Sequence, residues 1–138
     1  MDARTIYITE YDVSRLEDLL ELAKEFNYRD RDDLKKLEEE LSVAKIVDSQ
    51  DIPPNIVTMN SKFRLRDLNT DKEMVLTLVF PKEANIQEGK ISVVSPIGTA
   101  TLGYSVGATI EWNIRSAAKK FKIEEILYQP EAAGDFHL

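Results

Sequence analysis

Cysteine is absent from these 138 residues, and histidine occurs once. Disulfides and thiolate metal sites are therefore excluded, and a histidine cluster for metal or proton chemistry cannot be built. Glycine and proline number five each, and no internal repeat or low-complexity tract appears. No apolar run approaches the ~18 residues that span a bilayer, and the polar, alternating N-terminal stretch does not read as a signal peptide. The expectation is a cytoplasmic protein that does not enter membranes. A basic excess is missing too. Net charge is −7, and all of it lies in residues 1–51, which hold 15 acids and 8 bases; residues 52–138 balance. Direct nucleic-acid binding needs a basic surface, so any such contact is expected only through a partner.

What is present divides at Pro53-Pro54. Leu16, Leu19, Ala23 and Phe26 recur in steps of three and four, as do Leu34, Leu37, Leu41 and Ala44. Two helices over 14–26 and 32–47 with a/d seams follow, joined by a short linker and folded back as an antiparallel coiled-coil hairpin within residues 1–52. Asp12 is the expected cap of the first helix, with Thr9 and Asp12 echoing a capping box. Asp30 or Asp32 serves the second. Leu20, Leu22, Val43 and Ile46 lie off the seam and offer a surface for self-association. Thr5 to Thr9 alternates like a short strand.

From residue 55 the period becomes two. Strands are expected over Lys62–Arg66, Met74–Phe80, Ile91–Val94, Thr109–Arg115 and Phe121–Tyr128, forming an antiparallel sheet with one wet face. Asp67 to Lys72 supplies a turn, and Ser116 to Lys119 connects the last two strands. The run from Lys90 to Gly107 carries three of the five glycines. Ser95 is a good N-cap and Pro96 fits the first helical position. Gly103 suits a left-handed helix stop, and Gly107 closes a further turn. The fold class is α+β, with a twisted sheet around one short helix in residues 55–138. Trp112 alternates with Ile110 and Ile114 and belongs in the core, and His137 is assigned no role.

This run resembles the C-terminal, FKBP-like domain of the Gre transcript-cleavage factors. Ile56 to Ser61, after the double proline, and Tyr128 to Leu138 resemble the start and end of the globular domain in the Rnk family (regulator of nucleoside diphosphate kinase). The resemblance implies an FKBP-like domain and a regulator that binds RNA polymerase at the rim of its secondary channel. It would compete with Gre-type factors without being an enzyme itself, and its link to nucleoside diphosphate kinase would be regulatory. No cofactor or metal of its own is implied, and no catalytic residue.

The hairpin tip, Tyr28, Arg29, Asp30, Arg31, Asp32 and Asp33, is the first candidate contact. Its three aspartates are hard oxygen ligands, yet the tip does not reproduce the Gre motif and the arms are shorter. Aspartates in such a loop also serve as caps and solvated turn residues. Tyr28 is either an interface anchor or a lid folded on Phe26. The second candidate contact is Ser95, Pro96, Ile97 and Gly98 with Gln129, Pro130 and Glu131. Two other functions stay open: transcript-cleavage stimulation by the tip aspartates, and prolyl isomerisation or peptide binding in a pocket lined by Phe63, Phe80, Trp112, Phe121 and Tyr128.

Overall fold

The computed structural model describes residues 6–25, 32–114, 117–135 and 138. The side chains of 23–25, 32–34, 36, 96, 112–114 and 117–118 lie outside that description, as do residues 26–31 entirely. Ala23, Phe26, Leu34, the side chain of Trp112, and His137 therefore fall outside it.

The first element among the described residues is strand β1 (Tyr7–Thr9), which runs directly into helix α1 (Glu10–Glu25). Thr9 is the cap: its hydroxyl accepts the Asp12 N–H at 3.0 Å. Asp12, expected to be the cap, is instead a fully buried helical residue with other partners. Helix α2 (Asp32–Val43) follows, then strand β2 (Lys45–Val47). The second helix was expected to reach residue 47. It stops at Val43 because Lys45, Ile46 and Val47 pair in parallel with Tyr7, Ile8 and Thr9. Two β-branched residues in a row favour that pairing over another helical turn.

The remaining strands are β3 (Lys62–Asp67), β4 (Glu73–Val79), β5 (Lys90–Ser92), β6 (Thr109–Ile114) and β7 (Ala117–Tyr128). They form one sheet in the order β5-β4-β3-β7-β6. All five expected strands are present, but the sheet is mixed rather than antiparallel: Thr77, Leu78 and Val79 pair in parallel with Lys90, Ile91 and Ser92. Two 3-10 turns, Pro81–Glu83 and Ile86–Glu88, carry the chain back along β4 before β5 begins. Of the connection expected at Ser116 to Lys119, residues 117–119 belong to β7, which starts at Ala117, and Ser116 lies outside the described residues.

Short helix α3 (Pro96–Thr101) packs on the sheet, with the Ser95 hydroxyl accepting the Gly98 N–H at 3.1 Å. Gly103 ends it with φ +84° and has a second task. A Cβ there would stand 2.8 Å from the Ile6 Cβ, and its carbonyl accepts the Tyr7 N–H at 3.1 Å. Gly103 also donates to the Val57 carbonyl at 2.8 Å. The first strand is thus stitched through Gly103 to the segment after the prolines.

One hydrophobic core results. Ile6, Ile8, Leu16, Leu20 and Leu37 from the N-terminal part join Val57, Met59, Phe63, Leu65, Leu78 and Ile123. Leu20, expected on a free face, is 8% exposed. An isolated hairpin of this length is marginal, and burial against the sheet domain stabilises it. The last element is helix α4 (Pro130–Ala133), closed by Gly134 at φ +82°.

Candidate docking surfaces: the hairpin joint and the cleft beside helix α3

Where α1 meets the sheet domain, three elements converge on two charged side chains. The buried Asp12 carboxylate accepts the Met59 N–H at 3.1 Å through one oxygen, and Arg15 at 2.6 Å through the other. Burial pushes the Asp12 carboxyl up, to about 6, against the opposing pull of Arg15 and the Met59 N–H; nearby Glu131 adds to the rise. Arg15 also donates to the Leu138 main-chain oxygen at 2.6 Å. Its guanidinium carbon lies 3.9 Å from the Tyr11 ring centroid and 4.9 Å from that of Phe80, within cation–π range of both.

Beside this joint, Thr58 donates to Glu131 at 2.7 Å and shares a 2.8 Å hydrogen bond with Ser61. Gln129, expected at a partner surface, is 3% exposed. Its amide donates to the carbonyls of Pro53 and Ile56 at 2.9 and 2.8 Å, which locks the segment after the double proline. Pro130 is buried as well, and Glu131 is half-buried. In this chain these three residues hold the C-terminal segment down.

The other candidate contact lies elsewhere on the domain. Ser95 is used in the cap, while Gly98 packs so closely on β5 that a Cβ would meet the Ser92 carbonyl oxygen at 2.1 Å. Ile97 points into an open apolar cleft of about 350 Å³ that it shares with Met74, Leu76, Ile86, Ile91 and Phe121. Asp67 and Lys119 are its charged members. Ile86 is 85% exposed, a large apolar side chain with no protein cover. The sequence does not mark this cleft as a unit: Ile86 opens a 3-10 turn, and Met74 and Leu76 belong to an apolar strand.

Tyr28, Arg29, Asp30 and Arg31 lie outside the described residues, and Asp32 and Asp33 are placed only as the start of α2. Among the described residues no three His, Cys, Asp or Glu side chains gather as a metal site. Leu22, Val43 and Ile46 stand exposed on the N-terminal part, at 52%, 75% and 48%. No helix among the described residues is long and apolar enough to cross a membrane.

On the sheet's outer face Arg66 bridges Asp71, Glu73 and Glu124, and Arg64 bridges Glu125. A register shift in β7 brings the adjacent Glu124 and Glu125 to this face. The Arg66 hydrogen bond holds the Glu124 carboxyl below its usual range. Both arginines, expected on a wet face, are ion-paired with neighbouring carboxylates.

A helical hairpin joined to a curled mixed sheet is a GreA/GreB-like fold. Residues 52–128 match the family described as "Transcription elongation factor, GreA/GreB, C-term", and residues 4–47 match the Rnk N-terminus. The chain is 35% identical over 139 aligned positions to the "Regulator of nucleoside diphosphate kinase" of Escherichia coli K12, covering 100% of both chains. It is 38% identical over 106 residues to GreA of Chloroherpeton thalassium, covering 77% of this chain and 67% of that one. Among solved structures, a GreA/GreB elongation factor from Nitrosomonas europaea superposes with a TM-score of 0.73 at 38% identity, over 90% of this chain and 98% of that one. The chain belongs to the Rnk family, with a GreA/GreB-type C-terminal region.

Proposed function

We propose that this protein regulates transcription elongation by binding RNA polymerase at the rim of the secondary channel, and so works in the cytoplasm. It would compete there with Gre-type factors and have no transcript-cleavage activity of its own. The supporting observation is the end-to-end match to an Rnk protein, together with a GreA/GreB region over residues 52–128. In this reading the FKBP-like domain docks through the cleft beside α3. Ile97 and Ile86 supply apolar anchors, and the exposed Lys119 supplies a charge at the rim. The acidic N-terminal part then faces the channel without entering as deeply as a longer hairpin. Any metal or nucleic acid it meets belongs to the polymerase.

Binding to core RNA polymerase tests this reading, using the full chain and its Ile86→Asp and Ile97→Asp variants. Both variants are expected to lose at least tenfold in affinity, since a charge in an apolar anchor site costs more than one factor of ten. Absence of binding by the parent chain contradicts the proposal.

The isomerase alternative is disfavoured by burial. Of the aromatics it requires in a pocket, Phe121 lines the cleft, while Phe63 is 0% exposed in the core and is not among the lining residues.

A further inference from the structure

We propose that residues 129–135, with Leu138 held to the Asp135 carbonyl at 3.1 Å, form a strap across the joint between hairpin and sheet domain, with Arg15 as its clasp, and that this strap sets the angle of the hairpin. The inference stands independently of the polymerase reading. The strap lies beyond residue 128, where the GreA/GreB match stops, and its clasp lies within the Rnk N-terminal match, residues 4–47. It therefore ties together two regions that are matched separately.

The strap is anchored at its root, tied to itself and fastened at its end. At the root, Gln129 holds Pro53 and Ile56. In the middle, Glu131 accepts from Thr58, one residue before the Met59 that donates to Asp12. The Tyr128 hydroxyl donates to Asp135 at 2.5 Å, and the Asp135 N–H returns to the Pro130 carbonyl at 2.7 Å. At the end, Leu138 accepts from Arg15. The same guanidinium touches α1 through Asp12 and Tyr11, and the segment after β4 through Phe80. One side chain thus gathers the hairpin, the sheet domain and the strap.

The clasp can also open. Arg15 is partly exposed, its side chain 26% accessible, and its Nε is buried without a hydrogen-bond partner. Loss of this one contact set frees the strap's end without removing any residue of the hydrophobic core. Arg15 is accordingly a positioning residue, acting on the hairpin through the strap.

The absence of cysteine allows a clean test on the full chain. Spin labels at Lys35→Cys on α2 and Glu83→Cys beside the sheet report the hairpin angle as a distance distribution. The parent chain is expected to give one narrow distribution. Arg15→Met, which keeps an apolar stem, should shift and broaden it, and Arg15→Lys should recover part of the narrowing. Asp135→Ala, which loosens the strap away from the core, should broaden it as well and provides the test if Arg15→Met does not fold. Arg64→Met removes a comparable arginine from the outer sheet face and should leave the distribution unchanged. Unchanged distributions in the folded Arg15→Met and Asp135→Ala proteins would overturn the proposal, as would equal broadening by Arg64→Met.

Discussion

The carboxylate of Asp12 accepts the main-chain N–H of Met59 at 3.1 Å, from 47 residues away. This bond fastens the first helix to the turn that leads into β3. A residue that reads as a helix cap is thus a tie between the two halves of the chain. The hydroxyl of Thr9 takes the capping role and leaves both Asp12 oxygens free for other partners.

Asp12 gives the fold a pH dependence of definite sign. Its carboxyl is pushed from 3.8 to about 6 by burial, so the folded state binds the proton more tightly than the unfolded chain. The protonated group favours folding fully below pH 3.8, and that contribution is lost as pH rises through 6. The groups facing it are Arg15, Glu131 and the Met59 N–H. Asn at this position still accepts a hydrogen bond but cannot titrate. Relative to Asp12→Asn, the parent chain should gain on the order of 2–3 kcal/mol between pH 7 and pH 4. Urea melts of both proteins across that range give the comparison. Parallel pH profiles would refute the assignment.

Gln129 should be intolerant of change. Its amide satisfies two carbonyls in a buried place, and Gln129→Ala leaves both unpaired at a cost of about 2–4 kcal/mol. Gln129→Glu should be worse, because an acceptor replaces the donor in front of two carbonyl oxygens. The order parent, Ala, Glu in denaturation midpoint checks the orientation of the amide.

Gly98 and Gly107 separate crowding from backbone strain. A methyl at Gly98 would collide with the Ser92 carbonyl oxygen, while one at Gly107 would meet nothing within 4 Å but must accept φ +94°. Gly107→Ala is expected to cost about 1 kcal/mol of strain. Gly98→Ala must displace β5 or α3 and should cost about 2–3 kcal/mol. Equal thermal shifts for the two would contradict this packing.

Tyr128 offers a spectroscopic reading of the C-terminal segment. Its hydrogen bond to Asp135 raises the phenol to about 12. Asp135→Asn should bring it back towards 10.0. Absorbance titration of the phenolate follows the change, and an unshifted high value in the variant would refute the contact.

The strands of the sheet domain were legible because alternation of Phe63 and Leu65 with Arg64 and Arg66 is a local signal. So was α3, where Ser95, Pro96 and Gly103 each suit one backbone position. The parallel placement of β5 was not legible, because it depends on where residues 80–89 return the chain and no residue there encodes a direction. The irregularity in β7 does leave a trace: Ile123 and Ile126 are three apart and break the period of two. The end of α2 was missed because the apolar spacing of Leu37, Leu41 and Ala44 runs on past Val43, while the pairing of Ile46 with Ile8 is a contact across 38 positions. The joint itself was hidden for the same reason. Asp12, Arg15, Gln129 and Glu131 are ordinary surface residue types, and only the folded chain shows them buried or paired. Among the candidate contacts, Ile97 was singled out from sequence, but its cleft partner Ile86 was not.

The most direct measurement of the central claim is displacement of labelled GreA from core RNA polymerase by this protein. The predicted result is dose-dependent displacement by the parent chain, retained on shortening the hairpin tip and lost on Ile97→Asp. Failure of the parent chain to displace GreA at any concentration would contradict docking at a shared site.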